Sequence, residues 1–139
     1  MIGLAAGALA AFFAAAAYAQ GTVDESGEIE GSQPAVDGAA ALLRALDTIV
    51  GTTTDIQVPV GEAVPFLRFS VSVSSCRYRP ESPATHSYAF VTISEKPEQP
   101  PIFDAWMISS SPALSAMEHP RYDIWLVRCS ATAESVTNG

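Results

Sequence analysis

The stretch PFLRFSVSVSSCRY, Pro65 to Tyr78, alternates apolar Leu67, Phe69, Val71 and Val73 with polar Arg68, Ser70, Ser72 and Ser74. A period of two marks a strand with one buried and one wet face. Cys76 breaks the pattern, because its position puts the thiol on the serine side. A bulge near Ser74 and Ser75 would add one residue to the strand and turn the thiol inward. SYAFVTIS, from Ser87, repeats the alternation, with Ala89, Val91 and Ile93 on one face and Tyr88 and Phe90 on the other. IFDAWMIS from Ile102 and YDIWLVRC from Tyr122 are apolar at nearly every position, which predicts strands buried on both sides.

The segments between these strands are punctuated by proline: RPESPATH and EKPEQPP read as loops. Upstream, AAALLRALDTIVGTTTDIQVPVGE, from Ala39 to Glu62, is apolar and then Thr-rich, broken at Gly51 and ended by Pro59 to Gly61. Its first part, Ala39 to Leu46, has helical residue types but is short, and a strand pair hinged near Gly51 is the expected outcome. In SSSPALSAMEHPRYDIW, Ser111 and Pro112 form an N-cap and first-turn signal, and Pro120 is a stop. PALSAMEH is therefore expected as a helix of about two turns. Leu114 and Met117 share the face that would cover an open end of the sheet. The fold class is all-β: a small barrel or sandwich of about five to seven antiparallel strands with one short covering helix.

The first residues, MIGLAAGALAAFFAAAAYAQ, are uncharged and apolar and close on Ala17-Tyr18-Ala19. Small residues there fit a secretory signal cleaved after Ala19, although no basic residue precedes Arg44. A retained anchor is the alternative, but the run is mostly alanine and barely long enough to span. Residues 20–38 are rich in Gly, Ser and acid and read as a flexible spacer. A single β domain is expected over 39–131, followed by a disordered tail at 132–139. Export makes the periplasm the expected compartment.

Charge and cysteines sharpen this picture. Fifteen acidic against seven basic residues give a net charge of -8, which disfavours nucleic acid and anionic membrane surfaces as partners. The two cysteines, Cys76 and Cys129, are expected as one disulfide in an oxidising compartment. Closing that loop would remove about 4 kcal/mol of unfolded-chain entropy. With no Cys-x-x-Cys spacing, thiol-exchange chemistry and zinc ribbons are excluded.

VPVGE from Val58, the Cys76 strand and IFDAWMISSSPALSAMEHPRYDIWLVRC from Ile102 together resemble a family of exported Gram-negative bacterial proteins catalogued as domain of unknown function 2155. The likeness runs from Leu42 to Ser130 and rests on Trp106-Met107, Ser110-Ser111-Pro112, Leu114-Ser115-Ala116, Glu118-His119-Pro120, Tyr122-Asp123 and Trp125. It implies an exported, disulfide-bearing module and assigns no activity.

Three chemistries compete for the Ser109–Trp125 stretch. On a helix, Ser115 and His119 would share a face with Asp123 behind the imidazole, the order of a serine hydrolase. Against it, the serine lacks a Gly-x-Ser-x-Gly elbow and the one lysine, Lys96, is not in a Ser-x-x-Lys spacing. The bland alternative makes Ser109 to Ser111 cap and turn residues, with His119 near the helix C-terminus. Metal ligation by Glu118, His119 and Asp123 with distant His86 fails on direction, and no two acids among Asp104, Glu118 and Asp123 are placed by the sequence across a cleft. No catalytic residue, metal ligand or cofactor is assigned. The remaining candidates are aromatic: Trp106, Tyr122 and Trp125, with His119, as a binding surface if they face outward, although packing under the short helix is the commoner fate of such tryptophans. The expected role is a non-catalytic module docking onto an envelope or inner-membrane protein assembly. A cell-wall or carbohydrate-binding module, or a small serine hydrolase using Ser115 and His119, are the alternatives.

Overall fold

The computed structural model describes residues 33–133 of the 139-residue chain. The expected signal segment, most of the spacer and most of the C-terminal tail lie outside the described residues. The strands are β1 (Val36–Asp37), β2 (Ala40–Asp47), β3 (Thr52–Pro59), β4 (Ala63–Phe66), β5 (Phe69–Tyr78), β6 (Ser87–Ser94), β7 (Phe103–Ile108), β8 (Met117–Glu118) and β9 (Tyr122–Ser130). One helix, α1 (Pro112–Ser115), lies between β7 and β8. The all-β expectation holds, as a sandwich rather than a barrel. One sheet runs β1-β5-β6-β7 with β4 also on β5, and the other runs β3-β2-β9-β8; every strand pair is antiparallel.

The core lies between the sheets. Val71, Val73, Ala89, Val91, Ile93 and Met107 point into it from the first sheet, and Leu43, Ala45, Val58, Ile124 and Leu126 from the second. The hairpin at Gly51 forms as expected, with the glycine at φ 74° in the left-handed region that its missing Cβ makes accessible. The bulge expected at Ser74 is also present: Val73 pairs with Val91 but Ser75 pairs with Phe90, so Ser74 is the extra residue and Cys76 turns inward. Cys76 and Cys129 form the disulfide, with Cα atoms 5.9 Å apart, joining β5 of one sheet to β9 of the other.

The N-terminal strand region switches sheets beside this crosslink. β1 pairs with β5, Gly38 donates its N–H to the Cys76 carbonyl at 2.7 Å, and Ala39 donates to the Ser130 carbonyl at 2.8 Å as the chain enters β2. Thus Val36 and Asp37, assigned by composition to the spacer, are in the fold. A Cβ on Gly38 would lie 3.2 Å from the Cys129 Cβ and 3.1 Å from the Ser130 carbonyl oxygen, so these neighbours would have to give by a few tenths of an ångström to admit a side chain. Ser87, fully buried, secures the same corner: its hydroxyl accepts from the Cys129 N–H at 2.8 Å and donates to the Pro83 carbonyl at 2.6 Å.

Four local expectations are corrected. Leu67 is not on the buried face: it sits at the two-residue turn between β4 and β5, at φ 54° and exposed, because Phe66 and Phe69 pair directly. The helix makes one turn instead of two. Met117 leaves it to occupy a core position in β8, which strips Leu114 of cover and leaves it 90% exposed. No side chain of α1 is buried, and Ser111 makes no side-chain cap. Finally, β7 and β9 each bury one face only: Trp106, Trp125 and Val127 are apolar residues on outer faces, so composition overstated their burial.

Candidate functional site

The serine–histidine corner is taken apart by the fold. The Ser115 hydroxyl accepts from the Ile108 N–H at 2.9 Å and shares its own proton between the Ser111 and Ile108 carbonyls, at 3.0 and 3.3 Å. Ser109 accepts from the Ser87 N–H at 3.0 Å. His119 stands edge-on to Phe69, ring centroids 5.3 Å apart, stacks on Tyr122 at 5.9 Å, and accepts the Arg121 N–H on Nδ1 at 3.1 Å. Asp123 points the other way. It pairs with Glu118 across β8 and β9, on the face opposite buried Met117 and Ile124. Among the described residues no hydrogen bond joins Ser115, His119 and Asp123 into a relay, and these serines act as edge and turn partners for the backbone.

Glu118 and Asp123 line a shallow groove of about 410 Å³ with Pro112, Ala113, Ala116 and Trp125. Trp125 lines this groove together with α1 residues Pro112 and Ala113, although no side chain of α1 is buried. Directly across the strand from Trp125, Arg44 holds Asp55 in a two-pronged pair, at 2.6 and 2.8 Å. These hydrogen bonds keep the Asp55 carboxyl below the ordinary carboxylate range and raise the guanidinium. Arg121 does the same for Asp47 at 2.8 and 3.0 Å, partly offset by burial of the carboxylate and helped by the Ile49 and Val50 N–H groups. The first pair ties β2 to β3 mid-ladder, and the second ties the end of β2 to the start of β9. A larger cleft of about 540 Å³ lies beside the β4–β5 turn, lined by Leu67, Arg68, Phe69 and Lys96 among others, with its Arg68–Glu95 pair at 3.4 Å. His86 is far along the chain from these groups, its Nδ1 2.7 Å from the Ser82 hydroxyl. Among the described residues no three His, Cys, Asp or Glu side chains gather to hold a metal ion.

The four aromatic candidates do not form one cluster. Tyr122 is buried, His119 is half-buried against it, and Trp125 lies on the outer face of the second sheet. Trp106 lies on the outer face of the first sheet, 48% exposed, with neighbours that sequence alone did not group with it. It sits directly opposite Phe90, the rings edge-to-face at 5.5 Å and 81°. In the next row Ile108 is opposite Tyr88, which is itself opposite Arg77 on β5. Because inward Ala89, Val91 and Met107 are fully buried, alternation places Tyr88, Phe90, Trp106 and Ile108 together on the solvent side. Strands β6 and β7 together thus present a row of large apolar side chains bounded by Arg77 and by Asp104, whose Oδ1 accepts from the Thr92 hydroxyl at 2.7 Å. Such a patch is suited to stacking and to protein contact.

Comparison with known proteins gives one family and one close relative in sequence. The family described as "Uncharacterized protein conserved in bacteria (DUF2155)" matches residues 41–129. Uncharacterized protein RP359 of Rickettsia prowazekii (strain Madrid E) is 33% identical over 88 residues, 61% of this chain and 57% of that protein. The chain therefore spans somewhat over half the length of this relative. No solved structure matches. Among the described residues no helix is long and apolar enough to cross a membrane.

Proposed function

The chain belongs to the bacterial family of domain of unknown function 2155, and on that premise we propose that it is an exported, non-catalytic β module that docks onto a protein assembly of the cell envelope. The observation that carries the reading is the apolar row Tyr88, Phe90, Trp106 and Ile108 on the outer face of the first sheet. Aromatic side chains held rigidly on a strand lose little entropy on contact, and they recur as anchors in protein interfaces. The buried disulfide supports an oxidising compartment, which for this chain means the periplasm, reached by a leader cleaved after Ala19. Separation of Ser115, His119 and Asp123 weighs against the hydrolase alternative.

The test is affinity purification of the tagged protein from its native envelope, with Trp106→Ala and His119→Ala carried in parallel. Recovery of a defined protein partner that Trp106→Ala loses, while His119→Ala keeps it, supports docking. Recovery of wall glycan without protein replaces it with carbohydrate binding. Empty eluates together with turnover of a generic ester, abolished in His119→Ala, would reinstate the hydrolase.

A further inference from the structure

Among the described residues no strand pairs with the outer edge of β7, and that edge differs from the sheet it borders. Ser109 donates its N–H to the Ser87 carbonyl at 3.0 Å, so Ser109 and Ser87 form a hydrogen-bonded pair at the top of the β6–β7 ladder. In an antiparallel ladder such pairs alternate with wide ones. Met107, Ala105 and Phe103 therefore aim their backbone groups at β6, whereas Ile108, Trp106 and Asp104 aim theirs away from the sheet. At Ile108 the outward groups are answered from within the chain: Ser115 accepts the N–H at 2.9 Å and leans its own hydroxyl on the carbonyl at 3.3 Å, standing where a neighbouring strand would be. Neither Asp104 nor Trp106 has such a side-chain partner among the described residues, and both side chains are exposed. The segment from Phe103 to Ile108 also lacks the proline or bulge with which exposed edges are commonly blunted.

We propose that this edge receives an extended segment of the docking partner, which adds to β7 as an antiparallel strand over Asp104 and Trp106, with an apolar side chain opposite Trp106 and a basic one opposite Asp104. The inference rests on the docking reading and deepens it. Main-chain hydrogen bonds supply the attachment and alternate side chains the selectivity, as in other strand-addition interfaces. Charge favours the occupant's basic residue: Asp104 is acidic, its Oδ2 takes no side-chain partner among the described residues, and the whole chain carries a net charge of -8. The side chain opposite Trp106 extends the row begun by Phe90, so the added strand continues the apolar face of the sheet. Ser115 fixes where the added strand stops.

The probe is a short synthetic peptide of alternating threonines with isoleucine and arginine two positions apart, to lie opposite Trp106 and Asp104. Amide hydrogen exchange is read by NMR on isotope-labelled, disulfide-bonded protein with and without the peptide. The expected result is saturable binding with new protection at the Asp104 and Trp106 amides, and binding about tenfold weaker when aspartate replaces the arginine of the peptide. Asp104→Pro deletes an outward N–H at an edge position that tolerates proline, and is expected to abolish binding while near-ultraviolet circular dichroism stays native. Binding without protection at those amides, or no binding at all, overturns the proposal. Protection of both amides in the free protein also overturns it, because the edge is then occupied by a second copy or by the chain itself. If Asp104→Pro unfolds the protein, the exchange data on the natural sequence decide alone. In the envelope pull-down, partner loss with Trp106→Ala but not with Asp104→Pro leaves docking intact and removes strand addition.

Discussion

Cys76 and Cys129 meet across the two sheets because each is preceded by a one-residue bulge. On β5, Ser74 is the extra residue between Val73 and Ser75. On β9, Leu126 pairs with Leu43 and Arg128 with Leu42, so Val127 is the extra residue. Without the second bulge, Cys129 would share the outer face with Asp123 and Trp125. Two register shifts thus convert outward positions into an internal crosslink.

Deleting Ser74 is expected to straighten β5 without changing its register, leaving Cys76 two positions after inward Val73, so that the bridge and its contribution of about 4 kcal/mol are kept. Ser74→Ala keeps the bulge and should stay within about 0.5 kcal/mol of the parent. Thiol titration after unfolding without reductant checks this: no reactive thiols are expected in the deletion or in Ser74→Ala. Free thiols in the deletion variant would show that Ser74 is not the extra residue and would contradict the account.

Gly38→Ala should destabilise the sheet-switching corner by about 1–2 kcal/mol. The new Cβ would stand 3.1 Å from the Ser130 carbonyl oxygen and 3.2 Å from the Cys129 Cβ, and both neighbours are held by the β2–β9 ladder and the disulfide. Denaturant unfolding measures it; an unchanged midpoint would show that the crossing is looser than described.

Ser115→Ala is expected to cost about 1 kcal/mol, because the Ile108 N–H loses its hydroxyl partner at the sheet edge, while the Ile108 carbonyl keeps the Ser111 N–H at 3.2 Å. Thermal unfolding tests this, and Ser115→Thr, which keeps a hydroxyl, should recover part of the loss. Indifference to both changes would remove the edge-capping role.

The two carboxylate–arginine pairs predict how stability follows pH. Hydrogen bonding to Arg121 and Arg44 holds the Asp47 and Asp55 carboxyls below their unfolded values, so the unfolded chain binds more protons in that window. Their contribution is complete above the ordinary carboxylate value near about 4 and is lost as pH falls through the lowered folded values. Asp47→Asn should therefore unfold at a midpoint that varies less with pH in acid than the parent's. Parallel acid profiles for the two proteins would contradict the pairing.

How much of this was legible in the chain depends on whether a feature leaves a mark in local periodicity. The Ser74 bulge did, since Cys76 falls on the wrong parity of an otherwise clean alternation. The Val127 bulge left none, because Trp125 and Val127 are apolar on an outer face and YDIWLVRC reads as uniformly buried. The turn at Leu67 and Arg68 was hidden because FLRF carries no Gly, Asn or Asp and the apolar spacing continues across it. Ser111 and Pro112 correctly signalled a helix start, but Met117 gains more from the core than another helical turn would return. The Phe90–Trp106 contact depends on the register of β6 against β7, which no single strand encodes.

The central claim is that the outer face around Trp106 is a docking surface for an envelope protein, and site-directed photocrosslinking in the native bacterium tests it most directly. With a photoreactive benzoylphenylalanine in place of Trp106, a discrete adduct with one envelope protein is predicted, absent when the same group replaces exposed Leu114 near α1. Equal labelling from both positions, or no protein adduct from position 106 in an exported and disulfide-bonded pool, would contradict it.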